Sequence, residues 1–267
     1  MKGTIDHADS MGNGARYGES AQKVHPEAGS DLQWMTAGSG ISHSESFPLI
    51  STDPAVGNPT KFFQIWLNLP AASKNVDPHF SMVWGENVVA KPLAEGGCVT
   101  LWTGEAFGLS APTAPADSYA SNPASKVVVA FIVLHPGDRV TLGAVDDESV
   151  NRRIFQIGRS AVTVGDDATV QPGHFASLAP TLDATFSLSA DATEPAEFLL
   201  LQGAPLGEPV YHRGPFVTNT PEQMQQVFIR YQSTQFGQSW PWPESNVVFP
   251  RDAFRHTNVK GVVKNAV

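Results

Sequence analysis

Residues 126–138 read KVVVAFIVLHPGD, and this stretch decides the fold. Its eight consecutive apolar residues, Val127 to Leu134, are mostly β-branched or aromatic and run into Pro136-Gly137-Asp138, a turn signal. That combination predicts a short strand closed by a tight turn. The run falls far short of the ~20 apolar residues that a membrane helix requires. Working outward, the same signature recurs at Lys61 to Leu69 (KFFQIWLNL), Val99 to Gly104, Arg153 to Ile157 with Ala161 to Val164, and Ala196 to Leu201. Further turns at Gly165-Asp166-Asp167 and Pro172-Gly173 follow at close spacing. Short strands separated by tight turns predict a mainly β chain with antiparallel barrels or sandwiches rather than βαβ units.

One helix is marked. Thr220-Pro221-Glu222-Gln223 supplies an N-cap, a proline at the first helical position and a capping-box glutamine. Met224, Val227, Phe228 and Tyr231 then form one apolar stripe, so a packing helix is expected over 221–233. The stretch APTAPADSYASNPAS, residues 111–125, reads as a connecting segment. The expected division is therefore a first domain over 1–110, a second over 111–240, and a tail over 241–267. That tail has no strong period; it either wraps back on the body or is partly free.

Composition narrows the function. The chain has 267 residues, 17 Lys plus Arg against 26 Asp plus Glu, a formal charge of -9, and 41% apolar residues. It has core material enough to fold, and no Lys/Arg cluster that would release counterions from DNA or RNA. Direct nucleic-acid binding and membrane insertion are not expected. The single cysteine, Cys98, excludes an internal disulfide and a Cys-rich metal knuckle. Met1 to Ser10 has no apolar core of an export signal, so the expected location is intracellular, cytoplasmic or nuclear.

The chemistry concentrates in Asp31 to Glu45, DLQWMTAGSGISHSE. If Ile41 to Glu45 is extended, His43 and Glu45 project on one side, with Ser42 and Ser44 on the other. An imidazole beside a carboxylate is half of a mixed N/O metal site of the kind that suits Fe(II), Mn, Ni or Zn. On spacing alone such a pair is more often a solvated polar face. Gly38 and Gly40 supply a tight backbone ahead of the pair rather than a phosphate loop.

Several segments together resemble the pirin family of bicupins. His7-Ala8-Asp9-Ser10-Met11-Gly12-Asn13 is similar to the family's H-x-D-S-x-G-N, and Gln33 to Ile41 with His43-Ser44-Glu45 to its QWMTAGxGIxHxE. Gln64 to Pro70 resembles Q-x-W-x-N-L-P, and Gly203 to Thr220 resembles G-x-P-x-x-E-P-V followed by G-P-F-V-M-N-T. The resemblance covers most of residues 1–237.

It implies two cupin-type antiparallel β-barrels with a short C-terminal helix, and one mononuclear iron in the first barrel. In that family the iron is held by an H-x-H pair and by the His and Glu of GIxHxE. His43 and Glu45 match the second pair; no two of the eight histidines here are spaced as H-x-H. Three explanations stand: an N-terminally truncated chain, loss of the metal, or replacement of the missing ligands. Truncation is the expectation, leaving the first barrel incomplete with an unpaired edge at Ile5 to Ser10. His7 and Asp9 are the best substitute ligands, although the family keeps equivalents of both beside a full ligand set. His25 reads as a loop residue, His135, His174 and His212 as isolated structural histidines, and Trp34 and Met35 as lining the barrel near His43 or packing the core.

Two functions follow from the resemblance. One is an iron oxygenase of the quercetin 2,3-dioxygenase type acting on a flavonol-like aromatic substrate, with Glu45 the single visible carboxylate for both ligation and base catalysis. The other is a binding protein, iron-dependent or metal-free, that acts as a partner of transcription regulators; the acidic charge suits a basic protein partner.

Overall fold

The computed structural model describes residues 5–12, 31–41, 47–49, 53–57, 61–83, 85–234, 236, 248–250, 256–259 and 262–265. Its first strands are β1 (Ile5–Gly12), β2 (Asp31–Thr36), β3 (Phe47–Leu49), β4 (Lys61–Asn68) and β5 (His79–Val83). Then come β6 (Val89–Pro92), β7 (Cys98–Thr103), β8 (Glu105–Ala106), β9 (Leu109–Ser110), β10 (Val128–Leu134) and β11 (Arg139–Leu142). They are followed by β12 (Asn151–Gln156), β13 (Val162–Val164), β14 (Ala168–Val170), β15 (Phe175–Ser177) and β16 (Ala184–Ser187). The chain ends with β17 (Ala196–Gly203), β18 (Tyr211–Arg213), β19 (Phe216–Thr218), the helix α1 (Pro221–Thr234), β20 (Val248–Pro250), β21 (His256–Val259) and β22 (Val262–Asn265).

β10 sits inside a six-stranded sheet of order β15-β12-β17-β10-β7-β6, and all seven of its residues are buried. Alternation sends Val128, Ala130, Ile132 and Leu134 into one apolar cluster, and Val129, Phe131 and Val133 into another. The first cluster lies against the four-stranded sheet β11-β16-β13-β14 through Val140, Leu142, Val162 and Phe186. The second lies against the sheet β4-β1-β2-β5 through Leu32, Trp34, Phe63, Ile65 and Leu67. An antiparallel sheet usually leaves one face to water and alternates apolar with polar residues. This one is covered on both faces, which is the physical reason for the unbroken apolar run. Each fully buried Ile, Leu or Phe here is worth about 1.5–3 kcal/mol over the exposed state.

β4 has one more exposed face and alternates accordingly: Phe63, Ile65 and Leu67 pack inward, whereas Phe62, Gln64 and Trp66 are exposed. The 111–125 segment connects β9 to β10 through two 3-10 turns, with the Ser118 hydroxyl accepting from Ala120 N–H (3.2 Å) and the Asn122 side chain from Ala124 N–H (3.0 Å). The capping box forms: Gln223 N–H donates to Thr220 Oγ1 at 3.3 Å, and Thr220 N–H to Gln223 Oε1 at 3.2 Å. Met224 and Val227 are buried with Phe216, which Phe228 and Phe236 meet edge-on and Tyr231 at a tilt.

Two expectations change. The edge expected at Ile5 to Ser10 is not there, because β1 pairs with β2 on one side and with β4 on the other. The edges of that sheet are β4 and β5. The tail question also resolves, since β20 runs parallel to β3, pairing Val248 with Phe47 and Pro250 with Leu49. Among the described residues, no helix is long and apolar enough to cross a membrane.

Candidate functional site

β2 presents two faces with different tasks. Leu32 and Trp34 enter the apolar cluster shared with β10, so Gln33 and Met35 occupy the opposite face. On that face the register pairs Gln33 with Asp9 and Met82, and Asp9 in turn with Gln64; Met35 pairs with His7 and Phe80, and His7 with Trp66. Trp34 therefore packs against β10, and Met35, also buried, lies on the opposite face of the sheet.

After β2 the chain turns sharply. Gly38 has φ +49°, and a Cβ there would lie 2.3 Å from the Val76 carbonyl oxygen. Gly40 has φ +112°, and a Cβ there would meet the Phe236 ring at 2.5 Å. Ser39 N–H donates to Val76 O at 2.8 Å, and Gly40 N–H to Ala37 O at 2.8 Å. The glycines thus let the backbone pass between the 71–76 turn and the end of α1, as their place in the motif suggests. His43 and Glu45 follow directly and lie outside the described residues, as does His25.

The 71–76 turn is itself anchored by a polar node. Lys74 is buried, with Nζ donating to Asn68 Oδ1 at 2.7 Å and to the Leu69 carbonyl. Burial lowers the Lys74 ammonium below the usual lysine range, while the charge of Glu208 works in the other direction. Glu208 accepts from Ala71 N–H at 2.8 Å and from Asn219 Nδ2 at 3.2 Å. Three of the quoted motif segments, Q-x-W-x-N-L-P, E-P-V and N-T, meet at this node. Sequence reasoning missed Lys74, because a lysine in an Ala-Ala-Ser-Lys-Asn turn looks solvated. It also missed His79, which pairs with Thr36 in the register and sets Nε2 3.2 Å from Asp117 Oδ2.

The isolated histidines are structural. His174 Nδ1 lies 3.1 Å from Pro172 O, and His212 Nε2 lies 2.7 Å from Gly214 O, with its ring edge-on to Trp66. At His135 it is the backbone N–H, not the ring, that donates to Asp138 Oδ2, at 2.9 Å. Among the described residues no group of three or more His, Cys, Asp or Glu side chains could hold a metal ion.

Comparison with known proteins agrees with this arrangement. The pirin family model matches residues 1–67, and the model of the pirin C-terminal cupin domain matches residues 129–237. Mouse pirin is 30% identical over 241 residues, covering 88% of this chain and 71% of its own length. Human pirin is 29% identical over 243 residues at the same coverage. A crystal structure of quercetin 2,3-dioxygenase from Acinetobacter baumannii superposes with a TM-score of 0.63 and 22% identity over 89% of this chain and 77% of the other, a likeness of fold. With the motif residues gathered on one sheet, one turn and one polar node, these matches establish that the chain belongs to the pirin family and has the cupin β fold.

Proposed function

We propose that the chain is a pirin-type protein of the quercetin 2,3-dioxygenase kind whose metal site is incomplete here, and that it takes a flavonol-like aromatic substrate on the Gln33/Met35 face of β2. The observation that carries this reading is the retention of His43 and Glu45 immediately behind the Gly38–Gly40 turn in a pirin-family chain. The quercetin 2,3-dioxygenase of the same fold supports the substrate class.

The donor chemistry of His43 and Glu45, one imidazole and one carboxylate, suits iron, but it is two ligands short of the four that the resemblance implies. A divalent ion held by two donors stays largely hydrated and weakly bound. What this chain's own residues provide is a wall: apolar Met35, Phe80, Met82 and Trp66 with a few polar groups among them, the usual make-up of a small-molecule site. The division of the chain into a metal-type unit over 1–110 and a second over 111–240 belongs to the same proposal. A second reading, a binding protein for a basic partner such as a transcription regulator, is favoured by the net charge of -9.

Oxygen uptake with quercetin separates the two. The 267-residue chain is expected to show no turnover with added Fe(II), and a variant carrying an H-x-H strand ahead of Ile5 is expected to consume oxygen. Absence of uptake in an iron-loaded variant would overturn the oxygenase reading in favour of the binding protein.

A further inference from the structure

Gln33 is nine-tenths buried, with a relative exposure of 9%, yet its amide is badly served. Its Oε1 is buried and has no hydrogen-bond partner among the described residues, and its Nε2 reaches only the Met82 sulfur at 3.8 Å. A thioether is a weak acceptor, so the amide's capacity is unmet whichever way it is turned. A buried polar group without a partner is destabilising, and its presence in a native protein calls for a reason. The apolar alternative was sterically open, since neighbouring positions on this face are Met35 and Met82.

The surroundings indicate what the amide is for. On the face that Gln33 shares with Met35, Met82, Phe80 and Trp66, Met35 is buried, Phe80 and Met82 are half-buried and Trp66 is exposed, and among the described residues no other sheet joins them in an apolar cluster, in contrast to the Leu32/Trp34 face. Thioethers and an indole make favourable contacts with a flat aromatic ring. Such a surface holds the ring plane without choosing its orientation. An acceptor set among these groups fixes the orientation of a molecule that carries a hydroxyl.

We propose that Gln33 is the specificity residue of this face: its Oε1 accepts a hydrogen bond from a phenolic hydroxyl of the bound aromatic, and it is kept unpaired in the free protein for that purpose. The inference rests on the flavonol reading above and adds to it the group that recognises the hydroxyl.

The test combines stability with binding, both free of turnover. Gln33→Met and Gln33→Leu replace the amide with apolar groups of similar length. Each is expected to raise the melting temperature of the ligand-free chain by about 2–4 °C, because the unsatisfied amide is gone. Binding is read anaerobically by quenching of tryptophan fluorescence, with quercetin and with unhydroxylated flavone as probes. Quercetin affinity is expected to fall about tenfold in both variants, with flavone affinity unchanged. A lower melting temperature or failure to fold would show that the amide has a structural partner and overturn the proposal. Equal loss for both probes, or no loss, would overturn it as well. If the unsubstituted chain binds neither probe, the flavonol reading falls and the ligand assigned to Gln33 falls with it, whatever the melting result.

Discussion

The two faces of β10 and the two faces of β2 behave differently. Both faces of β10 are covered, and every residue from Val128 to Leu134 is buried. β2 places Leu32 and Trp34 in the cluster shared with β10 and turns Gln33 and Met35, also buried, to the opposite face, where among the described residues no apolar cluster with another sheet forms. The lesson is a division of labour. The six-stranded sheet supplies stability through apolar area, and the β4-β1-β2-β5 sheet uses one of its faces for that task and presents the other as the proposed binding face.

The sharpest way to break this contrast is to truncate a side chain in the shared cluster. Phe131 is buried, stacks on Trp102 at 6.1 Å and contacts Phe63 at 5.4 Å. Phe131→Ala is expected to cost about 3–5 kcal/mol in urea unfolding. Phe62→Ala, on the more exposed face of β4, is expected to cost less than half as much. Equal losses would mean that the two faces are packed alike.

Next comes Asp138, in the turn that follows β10. Its buried carboxylate accepts from Glu95 N–H at 2.8 Å, Gly97 N–H at 2.9 Å and His135 N–H at 2.9 Å, tying the turn before β7 to the turn after β10. Asp138→Ala leaves these donors without their acceptor and is expected to cost about 3 kcal/mol, with Asp138→Asn intermediate. A neutral result would show that the clasp is not what joins the two turns.

Gly38→Ala probes the other region. The new Cβ meets the Val76 carbonyl in a backbone conformation that favours glycine, for an expected cost of about 2 kcal/mol. The disturbance should appear in amide exchange of residues 37–41 and 71–76 and leave β10 untouched. Spread of the effect into β10 would contradict the separation of the two regions.

The smallest effect concerns pH. Burial lowers the Lys74 pKa in the fold, so between that value and the ordinary lysine value the unfolded chain binds more protons than the folded one. Stability contributed through Lys74 therefore rises as pH climbs through this alkaline window, and the penalty of the buried charge is fully felt below it. Lys74→Met is expected to flatten that rise in urea midpoints. An unchanged slope would show that the charge is not buried at this node.

What was legible in the sequence was local. Val127 to Leu134 and the Pro136-Gly137-Asp138 turn announced β10, and Thr220 to Gln223 announced the start of α1, because strand, turn and cap signals act within a few residues. The tight turn at Gly38 and Gly40 was legible for the same reason. What stayed hidden depends on partners far along the chain. Whether Trp34 or Met35 faces the core depends on what β10 places opposite. Glu208 reaches Ala71 across 137 positions, and no spacing rule connects Lys74 to either. The position of β1 between two neighbours was likewise invisible, since pairing is settled by the sheet rather than by Ile5 to Ser10 alone.

For the candidate site, the proposal is that His43 and Glu45, two of the four ligands that the resemblance implies, are what this chain offers a metal. Elemental analysis of the purified 267-residue chain after loading with Fe(II) and desalting tests it directly. The expected result is far less than one equivalent of iron, unchanged in His7→Ala and Asp9→Asn and lower still in His43→Ala. One tightly held iron per chain that is lost in His7→Ala or Asp9→Asn would contradict the claim and make those residues the replacement ligands.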